Sequence, residues 1–221
     1  MTYSICARDR LEDGPDGAYR FGVAAAARLP AVGSVATHAS EDGAVATAGV
    51  TDADVGRRCL DALADGRSLS DALGDAAAPR RQVHGVDAAN VDGHTGDDCR
   101  AVAGHVADER YGVAGTSLSD EAVLEAVSRA FRENERDAPL AVRLLTALAA
   151  GERAGGDRRE LPTGSAAVAV RRTDGATTLY DDLRVDASDA PIADLRETYR
   201  RAKRGYERAV ERYADDQTEN S

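Results

Sequence analysis

Helical segments in this chain come in pairs, and each pair lies between groups of strands. That order constrains the fold more than any motif does. The opening "TYSICA" and the later "YRFGVAAAA" read as a hairpin across the turn signals of "EDGPDG". "AVGSVATHAS" and "GAVATAGV" read as two more strands, of small residues that let a neighbour pack closely. A helix pair follows. "TDADVGRRCLDALADG" has acids early, Leu60 and Leu63 at helical spacing and Gly66 as its stop. "SLSDALGDAAA" is a short helix with Ser70 as its expected cap. Strands return in "RQVHGVDAANVDGHTG" and "AVAGHVADERYGVAG". The second pair is "SDEAVLEAVSRAFREN", capped by Ser119, and "DAPLAVRLLTALAAGERAGG", capped by Asp137 with Pro139 in its first turn. "GSAAVAVRR" and "TTLYDDLRVD" are the last strands.

A doubly wound parallel fold needs strands and helices to alternate singly, and here they do not. Two antiparallel sheets, each covered by helices, bury every apolar face named above, so the expected class is α+β. The chain closes on an amphipathic helix. Ile192, Leu195, Tyr199, Ala202, Tyr206, Ala209 and Tyr213 follow one another at steps of three and four. A stripe of that length implies a partner helix and a homo-oligomer. One domain is expected over residues 1–214, with a disordered tail, "DDQTENS", over 215–221.

Charge bounds the partners. The formal net charge is −11, and Lys203 is the one lysine among the 28 basic residues. The acids are dispersed rather than blocked, which reads as a solvated surface suited to high salt, and a halophilic source is expected. A nucleic-acid partner is not expected, because it requires a basic face. "RRAKRG" is a basic cluster, but Glu197, Glu207 and Glu211 flank it at helical spacing. No apolar run approaches the ~18 residues of a membrane helix, and the start lacks the pattern of a signal peptide, so a cytoplasmic protein with no membrane partner is expected. Cys6, Cys59 and Cys99 form no disulfide or zinc spacing. No metal and no cofactor is expected.

Three short stretches carry chemistry. If Met1 is removed, Thr2 holds a free α-amine beside its own hydroxyl, and that pair makes a nucleophile with its own base. The amine has a pKa of ~7.7–8.0, so part of it is neutral near pH 7. "GGDRR" places Asp157 after two glycines, more than a helix stop requires, and Arg158 and Arg159 add an anion-binding option. "HTG" makes His94 and Thr95 candidates to line a pocket.

The stretches "TYSICARD", "GVAAAARLPAVGSV", "GAVAT", "RQVHGVD", "HTGDDC", "AGH", "AGGDRR", "SAA", "DLRVD" and "PIADLR" together make the chain, up to about residue 200, resemble domain-of-unknown-function family 1028. That family is assigned to the N-terminal-nucleophile hydrolase fold. The resemblance implies a four-layer αββα sandwich of two antiparallel sheets. By analogy with proteasome β-subunits it implies that Thr2 is the catalytic residue, with Asp157 and Ser165 orienting its amine. It departs from the family at Ala27, where Ser is usual, at Ala48, where Gln is usual, and at Thr116, where Asn is usual and which is taken as a binding residue. The acid and lysine of proteasome-like enzymes are also missing. The leading expectation is an amide-bond hydrolase acting through Thr2 on a small amide or a peptide. The alternative is a non-catalytic ligand-binding or assembly protein that retains the fold.

Overall fold

In a computed structural model the described residues are 2–12, 14–15, 17–50, 52–100, 102–134, 136–176 and 178–219, with the backbone alone for 214–219. The chain runs β1 (Tyr3–Arg10), β2 (Tyr19–Ala27), β3 (Thr37–Ala39), β4 (Gly43–Gly49), α1 (Ala53–Ala64), α2 (Leu69–Ala76), β5 (Arg81–Asp87) and β6 (Val91–Thr95). It continues with β7 (Gly104–Ala107), β8 (Tyr111–Gly115), α3 (Ala122–Glu133), α4 (Leu140–Arg153), β9 (Gly164–Arg172), β10 (Asp182–Ser188) and α5 (Pro191–Glu219). Two sheets result, one ordered β10-β9-β2-β1-β8-β7 and the other β3-β4-β5-β6. Every strand pair in them is antiparallel. The expected α+β class with paired helices between strand groups is what forms.

Alternation along β1 decides which residues meet which layer. Tyr3, Ile5 and Ala7 join Phe131, Leu144, Leu148 and Leu195 in a core under α3, α4 and α5. Cys6 faces the opposite way and packs with Val23, Ala44, Ala46 and Val86 between the two sheets. On the far side Val45 and Val83 pack with Val55, Leu63, Leu69 and Leu73 from α1 and α2. A charge is buried against the outer core. Arg143 is buried, donates to Asp9 at 2.5 Å and lies 4.5 Å over the Phe131 ring. Burial holds its pKa below the ordinary guanidinium value, against the pull of Asp9.

Several local expectations are corrected. "AVGSVATHAS" is not one strand: Val32–Ser34 is a 3-10 turn, and only Thr37–Ala39 is β. A Cβ at Gly33 would strike Ala167 at 2.5 Å, so this turn is pressed onto β9 by tertiary packing. Helix α2 is capped by Ser68, whose hydroxyl accepts from Asp71 N, and not by Ser70. Neither Ser119 nor Asp137 caps a helix: α3 begins after Glu121, with Asp120 accepting from Ala122 N, and α4 begins after Pro139. Helix α5 runs to Glu219, so 215–219 is helical where a disordered tail is expected, while 220 and 221 lie outside the described residues. Among the described residues no helix is long and apolar enough to cross a membrane.

Candidate functional site

The two central strands of the larger sheet bring the site together. Tyr3 pairs with Ala26 on β2 and with Gly115 on β8, so Thr2 stands opposite Ala27 and Thr116. Thr116 N donates to Thr2 O at 3.0 Å. Ala27 pairs in turn with Ser165 on β9. Thr116, Thr2, Ala27 and Ser165 therefore form one row across the end of the sheet. Residues directly opposite one another share a face. Thr2 alternates with Tyr3, so this face is the one of Ser4 and Cys6, between the sheets.

All four are buried, Thr2 to 4% exposure and Ser165 to 0%. The hydroxyls of Ser165 and Thr116 are used differently. Ser165 Oγ donates to Leu29 O at 2.6 Å and accepts from Val32 N at 2.8 Å, so it fixes the turn that follows β2. Thr116 Oγ1 is buried and without a partner. A buried hydroxyl without a partner carries its full desolvation cost, so Thr116 marks a place where packing alone does not explain the residue type.

Asp157 closes the row from the side. Its carboxylate accepts from Arg28 N at 2.8 Å, and Arg28 directly follows Ala27. It also binds Arg159 through its backbone N and its guanidinium. Leu118 and Asp157 form a β-bridge, and Arg158 N donates to Ser117 O. Gly155 and Gly156 have positive φ of 108° and 55°, as the doublet after a helix end requires. Ser117, beside Thr116, takes φ 52° without being glycine, and Val102, whose carbonyl receives Leu118 N, takes φ 56°. For a β-branched residue such as Val102 this is a strained conformation.

A cavity of about 550 Å³ lies beside this segment, lined by Tyr3, Arg28, Glu152, Asp157, Arg158 and Ile192 among others. Tyr3 and Ile192 belong to the outer core, so the cavity opens on the helix side of the sheet. Thr2 is not among its lining residues. Tyr3 donates to Leu148 O, and burial pushes its phenol above the ordinary range.

Thr95 joins the region indirectly. Gln82 Nε2 donates to Thr95 Oγ1 at 2.8 Å and to Gly115 O at 3.1 Å, and Gly115 precedes Thr116. His94 does not join it. It pairs with Val83, which faces α1 and α2, so His94 lies on the other side of the smaller sheet. The reading of the sequence missed Gln82, Ser4 and His84. Ser4 Oγ and His84 Nε2 lie 2.8 Å apart, both buried between the sheets. Burial, helped by repulsion from His105, pushes the His84 imidazole down to about 3, so it is neutral at physiological pH. The signal was present: "RQVHGVD" puts Gln82 and His84 two apart on a strand whose other interior residues, Val83, Gly85 and Val86, are apolar or glycine. Among the described residues no group of three or more His, Cys, Asp or Glu could hold a metal ion.

Fold and site together define an α+β protein of two antiparallel sheets flanked by helices, with a polar row at the end of the larger sheet. The chain belongs to the family of unknown function DUF1028, whose description matches residues 2–195. It is similar to protein SPO2555 from Silicibacter pomeroyi, a DUF1028 crystal structure, with 28% identity, a TM-score of 0.72, and coverage of 91% of this chain and 88% of that one. Anbu, the ancestral beta-subunit from Yersinia bercovieri, is 12% identical with a TM-score of 0.38 and 96% of each chain covered. No curated protein matches the chain.

Proposed function

We propose that the layering is the four-layer αββα sandwich of N-terminal-nucleophile hydrolases and that the chain hydrolyses an amide bond through Thr2. One observation carries this reading: Thr2 is buried at the start of a central strand, directly opposite Thr116, whose hydroxyl is buried and without a partner. The reading requires Met1 to be removed. The freed α-amine then takes the Oγ proton, and Oγ attacks the carbonyl carbon to form an ester as the amine product leaves with a proton. Water hydrolyses the ester and restores Thr2. Asp157 and Ser165 position the site, because both fix the segment 28–32 beside Ala27. The substrate class is a small amide or a peptide, and the reading needs no cofactor, nucleic acid or membrane. The charge balance supports a cytoplasm of high salt as its setting.

A second reading, a ligand-binding protein without catalysis, has its own support. The Ser165 hydroxyl is spent on the turn after β2, the Asp157 carboxylate on that turn and on Arg159, and the cavity beside them does not include Thr2.

The deciding experiment is the intact mass of the native protein before and after exposure to a β-lactone that acylates N-terminal threonines, with Thr2→Ala as control. Loss of Met1 and a single adduct absent from the control is the expected result. Retained Met1 overturns the mechanism. Loss of Met1 with no adduct favours the binding protein.

A further inference from the structure

If Thr2 is the nucleophile, its freed α-amine is the base, and an ammonium forms there as Oγ gives up its proton. An ammonium away from bulk water needs acceptors. Strand geometry says on which side they must stand. The N–H and C=O of one residue point to the same side of a strand, and an antiparallel hydrogen-bonded pair exchanges both. Thr2 O receives Thr116 N, so Thr2 N also faces β8. The residues expected to orient the amine are engaged elsewhere. Both bonds of Ser165 Oγ go to the turn after β2, and the Asp157 carboxylate takes Arg28 N and Arg159.

Two acceptors stand on the β8 side. Thr116 Oγ1 is buried, without a partner, and on the face of Thr2. Gln82 supplies the second. It is 1% exposed and faces the inter-sheet layer from β5, because its neighbour Val83 packs with α1 and α2. Its Nε2 donates to Thr95 Oγ1 at 2.8 Å, to Gly104 O at 2.9 Å and to Gly115 O at 3.1 Å. Two of these partners are main-chain carbonyls, which fixes which arm of the amide is nitrogen. Gly104 and Gly115 pair with one another across β7 and β8. The nitrogen arm therefore points toward β7, and the oxygen arm of the same planar amide turns back toward β1. Oε1 is buried and has no partner. An amide oxygen and a hydroxyl left unpaired between two sheets are costly unless something donates to them.

We propose that Gln82 is a positioning residue of the Thr2 reaction: together with Thr116 it holds the freed α-amine, which donates to Gln82 Oε1 and Thr116 Oγ1. The assignment rests on the reading of Thr2 as the N-terminal nucleophile. The neutral amine takes the Oγ proton, the two oxygens stabilise the ammonium through charge-assisted bonds, and the proton passes to the leaving nitrogen. Gln82 couples the sheets to the chemistry, since its nitrogen arm anchors β7 and β8 while its oxygen arm sets the base.

The test is an NMR titration of the amine, followed at the Thr2 Cα resonance of the full chain labelled with carbon-13 threonine, beside the pH profile of β-lactone acylation. Thr116→Val removes Oγ1 at constant shape, and Gln82→Met removes Oε1. Bonds to acceptors favour the charged amine, so the midpoint is expected to fall by about one pH unit in each, with the acylation profile moving alongside. Thr116→Ser and Gln82→Glu keep an oxygen in each place and are expected to stay at or above the native midpoint. A midpoint unmoved by Thr116→Val or by Gln82→Met overturns the assignment for that residue, even where the adduct forms and the Thr2 reading stands. Should Gln82→Met fail to fold, a Gln82→Glu midpoint below the native one overturns it. No adduct on a native protein whose midpoints move as expected overturns the Thr2 reading and leaves the amine's partners in place. Retained Met1 overturns both.

Discussion

The layer under α3, α4 and α5 and the layer between the sheets are built from different materials. The first is filled with Leu118, Leu140, Leu144, Leu145, Leu148, Phe131 and Tyr111. The second holds Ala44, Ala46, Cys6 and Val86, together with Ser4, His84, Gln82, Thr2, Thr116 and Ser165. Large side chains bury the most apolar area and carry stability. Small and polar ones bring two sheets close and leave hydroxyls, an amide and an imidazole where water is scarce. The molecule therefore keeps its stability and its candidate chemistry on opposite faces of one sheet, with alternation along β1 as the divider.

This contrast can be broken in graded ways. Leu148→Ala empties a fully buried position of the outer core and is expected to cost about 2–5 kcal/mol in urea unfolding. In the inter-sheet layer the damage comes from addition. Ala46→Leu, at a position with no exposed surface, is expected to cost about 1–3 kcal/mol, with the six-stranded sheet displaced in a crystal structure. Equal tolerance at the two positions would erase the distinction.

The pH dependence probes the inter-sheet layer alone. His84 is held near 3 in the folded protein against an ordinary 6.5, so between those values the unfolded chain binds the extra proton. Its contribution is fully present above pH 6.5 and is lost as pH falls through the window, at no more than ~1.4 kcal/mol per pH unit. Urea titrations from pH 7 to 4.5 are expected to show that slope in the native protein and a flatter one in His84→Gln. The smallest effect on stability is expected at the candidate nucleophile. Thr2→Ala removes only a methyl and a hydroxyl at a buried strand end, so unfolding free energy is expected to stay within about 1 kcal/mol of native while the β-lactone adduct disappears.

The sequence by itself determined the order of the elements and the class of the fold. Its signals are local: alternation in "YSICARDR", turn residues in "EDGPDG", and the three-four spacing of Val123, Val127 and Phe131 act within a few residues. It also marked Thr2, Asp157 and Ser165, through resemblance. Tertiary structure decided the rest, because pairing and packing couple residues far apart in the chain. It turned "VGS" into a 3-10 turn against β9 and moved the α2 cap to Ser68. It set His94 on the wrong side of its sheet for the site and engaged both bonds of Ser165 in the turn after β2. It drew Thr116, Thr2, Ala27 and Ser165 into one row, since a row across a sheet is made by the register of four strands and no local pattern in any one of them specifies it.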